Sequence, residues 1–261
     1  MTVCTLASSS SGNCTVVSHG GAHILIDAGI SLRRIAASLR HLGISPDDLT
    51  CVLVTHEHVD HISGINMLTK YHKTPIFSSC DTGNGICRAI PEAEPFVNCF
   101  EIGADFSLGD ISVCSFSTPH DAPGSVGYRL QAGCKSLVYA TDLGWVTDEV
   151  AVAMGGADIA VIEANHDREM LRNGPYPGFL KKRILSKFGH LANNDSGKLA
   201  ALLAVSGTRF IQLAHLSREN NTPELARETV RLALCKEGIE TGRDVELDVA
   251  PPYSMGRTYK L

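Results

Sequence analysis

The chain has 261 residues, of which 44% are hydrophobic and 20% are charged, and its formal net charge at pH 7 is −5. This length and composition are typical of one globular domain, and we expect residues 1–261 to form it. The negative charge excludes a protein that coats nucleic acid through a surface that is basic all round, although a local basic patch stays compatible with it.

Short apolar runs rich in β-branched residues recur along the chain, each bounded by Gly, Pro, Asn, Asp or Ser. They predict strands at Cys14–Ser18, His23–Ile26, Cys51–Val54, Ile111–Thr118, Ser136–Ala140, Ile159–Ala164, Arg209–Ala214 and Val245–Val249.

Three segments have helical features. Apolar residues at helical spacing predict a helix that Ser31 begins and Gly43 ends. Ile62–Tyr71 is predicted as the second helix, and the third is predicted to run from Pro223 to about Glu237, with proline at its first position. Strands dominate the early half and alternate with helices later. The pattern favours an α/β (α+β) fold with helices outside a β-sandwich.

Six of the strand runs lead into a polar residue that can bind a metal ion. These residues are Asp27, His56, His120, Asp142, His166 and His215. Strand ends gather at one edge of a layered sheet fold, where ligands commonly bind. The sequence therefore predicts a group of histidines and aspartates along one rim.

The densest group of such residues is Thr55-His-Glu-His-Val-Asp-His61, directly after the apolar run Cys51–Val54. Its candidate ligands are His56, His58, Asp60 and His61. Neutral imidazole and carboxylate are the ligands that borderline divalent metals prefer, and short histidine clusters are typical of metal sites. A histidine-rich solvated loop is the alternative interpretation.

The nine cysteines are an odd number without a CxxC pair, and several lie within apolar runs. This usage predicts reduced thiols instead of a disulfide framework. We see no signal peptide at the N-terminus and no apolar run near the ~20 residues that span a bilayer. We therefore expect a cytoplasmic protein that does not associate with membranes.

With these residues in place, the chain resembles the metallo-β-lactamase superfamily, whose hallmark is HxHxDH at a strand end, here His56–His61. The supporting motifs follow in order: Asp27 in Ile-Asp-Ala-Gly, then His120, Asp142 in Ala-Thr-Asp, and His215. The resemblance implies a four-layer αββα sandwich with a dinuclear metal site at one edge.

The same resemblance implies a role for each matching residue. The ligands of the first metal would be His56, His58 and His120, and those of the second would be Asp60, His61 and His215. Asp142 would bridge both metals, and Asp27 would orient the histidine loop from behind. Such ligands admit two divalent ions of zinc or manganese, and also of iron.

Further stretches resemble one branch, the YycJ (WalJ) family of metallohydrolases. They are Ala7-Ser-Ser-Ser-Ser-Gly-Asn-Cys14, Glu163-Ala-Asn-His-Asp167, Gly174-Pro-Tyr-Pro177, Gly189-His-Leu-Ala-Asn193 and His215-Leu-Ser-Arg-Glu-Asn-Asn221. That family is associated with exonuclease-type DNA processing. The resemblance thus implies a phosphodiesterase with nucleic acid, DNA in particular, as its substrate. Because this fold often pairs, it also allows a homodimer.

Hydrolysis at such a site needs a nucleophile and a proton donor. Two metal ions about 4 Å apart share a water, lower its pKa and direct the resulting hydroxide at the phosphodiester. We assign catalytic parts to Asp60 and His190. Gly189-His190 resembles the glycine–histidine motif that supplies a proton donor in relatives of ribonuclease Z, and histidine suits general acid work at neutral pH. An ordinary core or surface histidine is the alternative for His190.

Candidate substrate contacts come from three places. The predicted contacts are Ser11, Asn13, His166, Arg168, Lys181, Lys182 and Arg183. The basic residues stand in a local excess between Arg168 and Lys187 that suits a polyanion, with a solvated helix face as the alternative. The loop that holds Ser11 and Asn13 offers hydroxyl and N–H groups to a phosphate, or is a plain turn. Tyr128, Trp145 and Tyr176 are candidates for stacking on bases, against an ordinary place in the core.

Two other functions stay open. A thioesterase or lactonase of the glyoxalase II type would use the same metals on a carbonyl substrate, but it has no evident need for the basic stretch and His190. A non-catalytic binding or regulatory protein would keep the fold without the chemistry, but loss of chemistry usually deletes ligands and none is missing.

Overall fold

The computed structural model of the protein describes residues 1–261 and contains fourteen strands and nine α-helices. The strands are β1 (Thr2–Ala7), β2 (Cys14–His19), β3 (Ala22–Ile26), β4 (Cys51–Leu53), β5 (Ile76–Ser79), β6 (Val97–Phe100), β7 (Asp105–Leu108), β8 (Ile111–Ser117), β9 (Val126–Ala132), β10 (Lys135–Ala140), β11 (Ile159–Glu163), β12 (Phe210–Ala214), β13 (Glu246–Val249) and β14 (Thr258–Lys260). The helices are α1 (Leu32–His41), α2 (Val59–Ile62), α3 (Ile65–His72), α4 (Cys80–Ala89), α5 (Asp148–Met154), α6 (Arg168–Asn173), α7 (Gly178–Ile184), α8 (Asn193–Val205) and α9 (Pro223–Lys236). Short 3-10 helices occupy Pro46–Asp48 and Pro91–Phe96.

The strands form two seven-stranded sheets. The first has the order β14-β1-β2-β3-β4-β5-β6 and the second the order β13-β12-β11-β10-β9-β8-β7. Neighbours are parallel from β3 to β6 and from β10 to β13, and antiparallel elsewhere. The carboxyl ends of the parallel strands within each sheet therefore lie at one edge, which is where a site can be assembled.

Helices cover the outer face of each sheet. Residues of both sheets, such as Val3 and Tyr128, share the core between the sheets. Helices α1, α3 and α4 pack on the first sheet through residues such as Ile35, while α5, α8 and α9 pack on the second through residues such as Val150. The predicted αββα sandwich is confirmed. The single domain stays a prediction. No helix has the length and apolar character needed to cross a bilayer.

All eight predicted strands overlap observed strands, and the ends differ by one residue in most cases. The prediction missed β1, β5, β6, β7, β9 and β14, as well as helices α4 to α8. Several of the missed strands are short and partly exposed, such as Val97–Phe100 and Asp105–Leu108, so neither alternation nor an apolar run marks them. Their pairing depends on neighbours that are distant in sequence.

The single helix predicted at Ile62–Tyr71 is wrong, because two helices, α2 and α3, occupy this region with Ser63 and Gly64 between them. The backbone N–H of Gly64 donates to the carbonyl of Ala28 at 2.7 Å. A Cβ at Gly64 would lie 2.3 Å from the carbonyl oxygen of Ile30. This close approach, which only glycine permits, breaks the helix and fixes α2 against the loop after β3.

Candidate metal centre

The candidate side chains reach one edge of the sandwich from the carboxyl ends of six strands. Asp27 follows β3, His56 follows β4, His120 follows β8, Asp142 follows β10, Glu163 ends β11, and His215 follows β12. Asp27, Asp142 and His215 have positive φ angles of 61°, 59° and 58°. Left-handed backbone costs such residues about 1–3 kcal/mol each and tends to cluster at functional sites. Here it occurs at three of the six strand ends that carry the candidate side chains.

The first group of converging side chains consists of His56, His58 and His120. The Nδ1 atom of His58 lies 2.9 Å from Nε2 of His56 and 3.3 Å from Nε2 of His120. His56 and His120 are buried, whereas the side chain of His58 is 35% exposed. One ring nitrogen from each residue thus faces a common point that is reachable from solvent.

The second group consists of Asp60, His61 and His215. The Oδ2 atom of Asp60 lies 3.3 Å from Nε2 of His215 and 3.5 Å from Nε2 of His61. Both histidines are buried, and the aspartate side chain is 19% exposed. Helix α2 begins at Val59, so Asp60 and His61 are consecutive helical residues, and both lie beside His215.

Asp142 lies between the two groups. Its Oδ2 atom is 3.3 Å from Nε2 of His61, and its Oδ1 atom is 3.7 Å from Nε2 of His120. Oδ2 is buried and has no hydrogen-bond partner in the protein. A buried carboxylate oxygen without a partner is costly unless a cation compensates it. This position therefore fits a ligand shared by two cations.

Protein acceptors hold the outer ring nitrogens of these histidines. Nδ1 of His61 donates to Asp27 Oδ2 at 2.8 Å, and Nδ1 of His215 donates to Glu163 Oε1 at 2.8 Å. Nδ1 of His120 lies 3.2 Å from the carbonyl oxygen of Gly189. A proton held on Nδ1 leaves a lone pair on Nε2, the nitrogen that faces the centre. The donor set and its tautomers therefore fit divalent metal ions.

The first group is electrically neutral at pH 7. Burial lowers the pKa of His56 well below its ordinary value, and it also lowers the pKa of His58 and of His120. Neighbouring histidines oppose a positive charge on His56 in addition. Neutral rings can bind a cation without first losing a proton.

The second group behaves in the opposite way. Burial alone would lower the pKa of His61, but the carboxylates of Asp27, Asp60 and Asp142 outweigh it and raise that pKa well above the ordinary value. For His215, burial is likewise outweighed, chiefly by Asp142, and the pKa rises to about 10. A cation that binds this group therefore replaces protons, so that its affinity increases with pH.

Asp27 lies behind the histidine loop. This carboxylate is fully buried and accepts hydrogen bonds from the backbone N–H and the hydroxyl of Thr55, at 2.8 and 3.0–3.1 Å. It also accepts from Nδ1 of His61. Asp27 therefore fixes both the start of the histidine loop and the orientation of one histidine.

Glu163 has the corresponding position in the second sheet, and the sequence analysis missed it as a site residue. Its Oε1 atom accepts from Nδ1 of His190 at 2.9 Å and from Nδ1 of His215 at 2.8 Å. Its Oε2 atom accepts from the backbone N–H groups of Leu143 and Leu191 at 2.7 and 3.0 Å. Burial raises the pKa of Glu163, but the two histidines outweigh it, and the pKa lies well below its usual range.

A signal for Glu163 was present in the sequence. The sequence analysis predicts that the run of β11 leads to His166, whereas the strand ends at Glu163 itself. The side chain that contacts the site therefore lies at the strand end itself, three residues before the predicted position.

His190 lies between the two groups, with its ring centroid 5.3 Å from that of His120 and 5.3 Å from that of His215. Its Nδ1 atom faces Glu163, and its Nε2 atom makes no hydrogen bond within the protein. The side chain is 16% exposed. One ring nitrogen is thus oriented by a carboxylate while the other stays free for a ligand.

Asn13 has a different role from the predicted substrate contact. It is fully buried, and its Oδ1 atom accepts hydrogen bonds from the hydroxyl of Ser8 and the N–H of Ser9. Its backbone N–H donates to the carbonyl of Asp60 at 2.8 Å. Asn13 therefore ties its loop to α2 and positions Asp60. Ser11, in the same loop, is exposed and stays a predicted substrate contact.

His166, another predicted substrate contact, lies in the interior, and its contact with a substrate stays a prediction. The residue is 1% exposed, and neither of its ring nitrogens has a hydrogen-bond partner. It pairs through its backbone with Ala192. In this conformation His166 is an interior residue beside the site.

The basic residues of the predicted patch lie on or next to α6 and α7 and are all at least partly exposed. Arg183 donates to Asp121 at 3.0 Å, and Asp121 in turn lies 3.2 Å from Nε2 of His120. Arg168 pairs with Asp195 at 2.6 Å. The Lys181 ammonium donates to a backbone carbonyl, while Lys182 has no acidic partner. Of these residues, Arg183 is linked most directly to the candidate centre.

Gly29 allows Asp60 to approach the loop after β3. A Cβ at Gly29 would lie 1.6 Å from the carbonyl oxygen of Asp60. We expect Gly29→Ala to displace α2, lower the free energy of unfolding by about 1–3 kcal/mol and reduce metal binding. Urea denaturation and metal analysis measure both effects. Gly178→Ala is the control, because no atom lies within 4 Å of its Cβ position. Equal stability of the two variants would contradict the prediction.

His166 should make stability depend on pH. Burial lowers its pKa from 6.5 to about 4, so between these values the unfolded chain binds the proton and the folded protein does not. Wild-type stability is therefore complete above about pH 6.5 and falls as the pH drops towards 4. We expect His166→Gln to remove up to about 3 kcal/mol of this loss.

The measurement is urea unfolding of the metal-free proteins from pH 7 to pH 4, so that proton-linked metal release does not contribute. His41→Gln, which changes an exposed histidine at the end of α1, is the matched control. Identical pH dependence in wild type and His166→Gln would show that His166 does not titrate as the geometry requires.

Comparison with known proteins identifies the family to which the chain belongs. A family model described as "Beta-lactamase superfamily domain" matches residues 22–215. The chain is 37% identical over 250 residues to Exodeoxyribonuclease YycJ of Bacillus anthracis, which covers 95% of this chain and 94% of that protein. It is 36% identical over 252 residues to Exodeoxyribonuclease WalJ of Streptococcus pneumoniae serotype 2 (strain D39), and the aligned region covers 94% of this chain and 93% of that protein.

Among solved structures, Zn(2+)-bound PqqB from Methylobacterium extorquens superposes with a TM-score of 0.74 over the full length of both chains. The two sequences are 21% identical. This match shows the shared fold.

Proposed function

The chain belongs to the metallo-β-lactamase superfamily and, within it, to the YycJ (WalJ) family, and from this premise we propose that it is a dinuclear metal-dependent exonuclease that hydrolyses DNA. One observation carries the proposal. Two groups of histidine and carboxylate side chains, joined by Asp142, converge at one edge of a chain whose relatives over almost its whole length are exodeoxyribonucleases.

We propose that the first group, His56, His58 and His120, holds one cation and that Asp60, His61 and His215 hold a second. Asp142 then contributes to both. When bound, two divalent ions, zinc or manganese, supply Lewis acidity and the positive charge that attack on a phosphodiester requires. The Nδ1–H bonds to Asp27 and Glu163 support this assignment, because they direct ring lone pairs towards the centre.

The remaining chemistry falls to Asp60 and His190. Burial would raise the pKa of Asp60, but His61 and His215 outweigh it and hold the pKa below its usual range, so the carboxylate is ionised. We propose that Asp60 accepts a hydrogen bond from the attacking water and orients it. His190 donates a proton from Nε2 to the leaving oxygen, since Glu163 holds its other nitrogen.

Exposed basic residues around the candidate metal centre can bind a polyanion. Arg183, Lys182 and Arg168 are exposed, and Arg183 reaches the centre through Asp121. We propose that they contact phosphates of the strand, with Lys181 and Ser11. A cytoplasmic location and pairing into a homodimer stay predictions of the sequence.

The test is cleavage of end-labelled single- and double-stranded DNA and RNA by protein reconstituted separately with manganese and with zinc. We expect stepwise shortening of DNA that Asp60→Ala abolishes. No cleavage of any strand by protein shown to hold two metal ions would overturn the proposal.

His190→Ala separates the nuclease from a thioesterase. Alkoxide leaving groups of DNA need a proton, whereas a thiolate does not, so nuclease activity should fall sharply and thioester hydrolysis should barely change. Rapid hydrolysis of thioesters or lactones by a wild type that leaves DNA intact would identify the carbonyl hydrolase instead. Metal-independent binding of DNA without cleavage would identify a binding protein.

A further inference from the structure

A cavity of about 420 Å³ is lined by residues that are close in sequence to Asp142 and His190 of the candidate metal centre. One wall is the loop around Trp145, another is the loop around Lys187, and α8 forms the floor with Asp195, Lys198 and Leu202. Arg168 closes one end. None of these residues belongs to the two groups of candidate ligands, so the cavity is a separate feature of the surface.

The cavity is held next to the centre by a close backbone contact. A Cβ at Gly144 would lie 2.1 Å from the carbonyl oxygen of Lys187, so the two wall loops touch directly. Trp145 follows Asp142 by three residues, and Lys187 precedes His190 by three. Three residues span at most about 11 Å, and phosphates repeat about every 3.4 Å along a helical strand. The cavity therefore lies within about three nucleotides of the centre.

An unusual aromatic side chain lines it. Trp145 is the only tryptophan of the chain and is 44% exposed. The ammonium of Lys187 lies 4.9 Å from the centre of its ring. Leu185 and Leu202, which also line the cavity, are exposed to a similar extent. An exposed indole between apolar side chains offers a flat face for stacking.

The charges around the cavity favour an anion. Three cationic residues line it, Arg168, Lys187 and Lys198, against the single acid Asp195. Asp195 pairs with both Arg168 and Lys198, and Lys187 has no carboxylate partner. This local excess of two positive charges stands on a chain with a net charge of −5. Apolar, aromatic and cationic groups together are the combination that binds single-stranded nucleic acid.

We propose that this cavity is a subsite for one nucleotide of the substrate strand, a few nucleotides from the phosphodiester that is cleaved. Trp145 stacks on the base, and Lys187 and Arg168 contact the adjoining phosphates. The inference rests on the proposed nuclease function and adds to it a named base contact.

The single tryptophan permits a direct measurement. We would titrate the metal-loaded wild type with a single-stranded deoxyhexanucleotide whose phosphorothioate linkages resist hydrolysis, and follow indole fluorescence. Parallel titrations use the same strand with abasic sugars, deoxyadenosine monophosphate and inorganic phosphate. We expect saturable quenching by the base-bearing strand, weaker binding of the mononucleotide, and no quenching by the abasic strand or by phosphate.

Kinetics supply the second measurement. Loss of one stacking contact should raise the KM for a DNA strand about 5- to 100-fold in Trp145→Ala, with kcat nearly unchanged. Trp145→Phe keeps a stacking face, so it should fold and retain most of the affinity. Tyr71→Ala is the matched control, because Tyr71 is also an exposed aromatic residue with a lysine, Lys70, at 5.5 Å.

The outcomes separate the subsite from the reaction. An unchanged KM in Trp145→Ala, or equal quenching by intact and abasic strands, would overturn the subsite while DNA cleavage by the wild type stands. Base-dependent quenching without any cleavage would support the subsite and overturn the nuclease reaction alone. A polypeptide ligand that quenches the indole in place of DNA would also overturn the subsite.

Discussion

Replacement of Asp142 by asparagine should lower kcat/KM for DNA by about a thousandfold or more, since the loss of a metal costs several kcal/mol of transition-state stabilisation. The reason is the position of this carboxylate between both groups of candidate ligands, with one buried oxygen that no protein group satisfies. An amide has the same shape but neither the charge nor the second anionic oxygen needed to bridge two cations. We expect the metal content to fall from two ions per chain to one or fewer.

Asparagine is the substitution of choice because Asp142 has a φ of 59°, a backbone conformation that asparagine tolerates and alanine does not. The variant should therefore fold, and circular dichroism and urea unfolding will verify this. Asp158→Asn is the matched control, since Asp158 directly precedes β11 of the same sheet, at the edge away from the centre. Two bound ions and full activity in Asp142→Asn would show that Asp142 does not bridge two cations.

The strand ends explain how much of the site the sequence predicts. Asp27 and Asp142 each follow a clear apolar run, and parallel strands bring such ends to one edge whatever the details of packing. The family resemblance then supplies a role for each position. The structure brings the predicted ligand side chains together at that edge.

The parts that sequence reasoning missed depend on contacts between distant segments. Asn13 is polar and lies in a serine-rich loop, yet it is buried because Asp60 and Gly29 pack onto that loop from elsewhere in the chain. The break between α2 and α3 likewise arises from the approach of Gly64 to the segment after β3. No local pattern encodes either approach, and so the sequence predicts a continuous helix at Ile62–Tyr71 and gives no sign that Asn13 is buried.

Replacement of Glu163 by glutamine should lower kcat/KM for DNA about 10- to 100-fold, the usual effect of removing a group that orients a metal ligand. Glu163 accepts hydrogen bonds from both His190 and His215, so one change affects the proposed proton donor and a candidate ligand together. It is ionised at neutral pH, because the two histidines hold its pKa below the usual range although burial opposes them.

The hydrogen bonds around Glu163 show why glutamine cannot replace it. Each carboxylate oxygen accepts two N–H groups, from the two histidines on one side and from Leu143 and Leu191 on the other. The amide nitrogen of glutamine must face one of these pairs, where donor meets donor. We therefore expect a loss of about 1–3 kcal/mol in the free energy of unfolding as well.

A substrate with an activated leaving group separates positioning of the proton donor from a general loss of structure. The leaving group of a p-nitrophenyl phosphodiester is a stable phenolate that needs no proton, so His190→Ala should retain far more activity on it than on DNA. Glu163→Gln should recover the part of its loss that arises from His190, and keep the part that arises from His215. Asp142→Asn should lose activity on both substrates, because the metal centre itself is damaged. Glu149→Gln, an exposed glutamate in the first turn of α5, is the matched control. If Glu163→Gln loses activity equally on both substrates, Glu163 supports only the candidate ligand His215 and has no separate part in the proposed proton donation by His190.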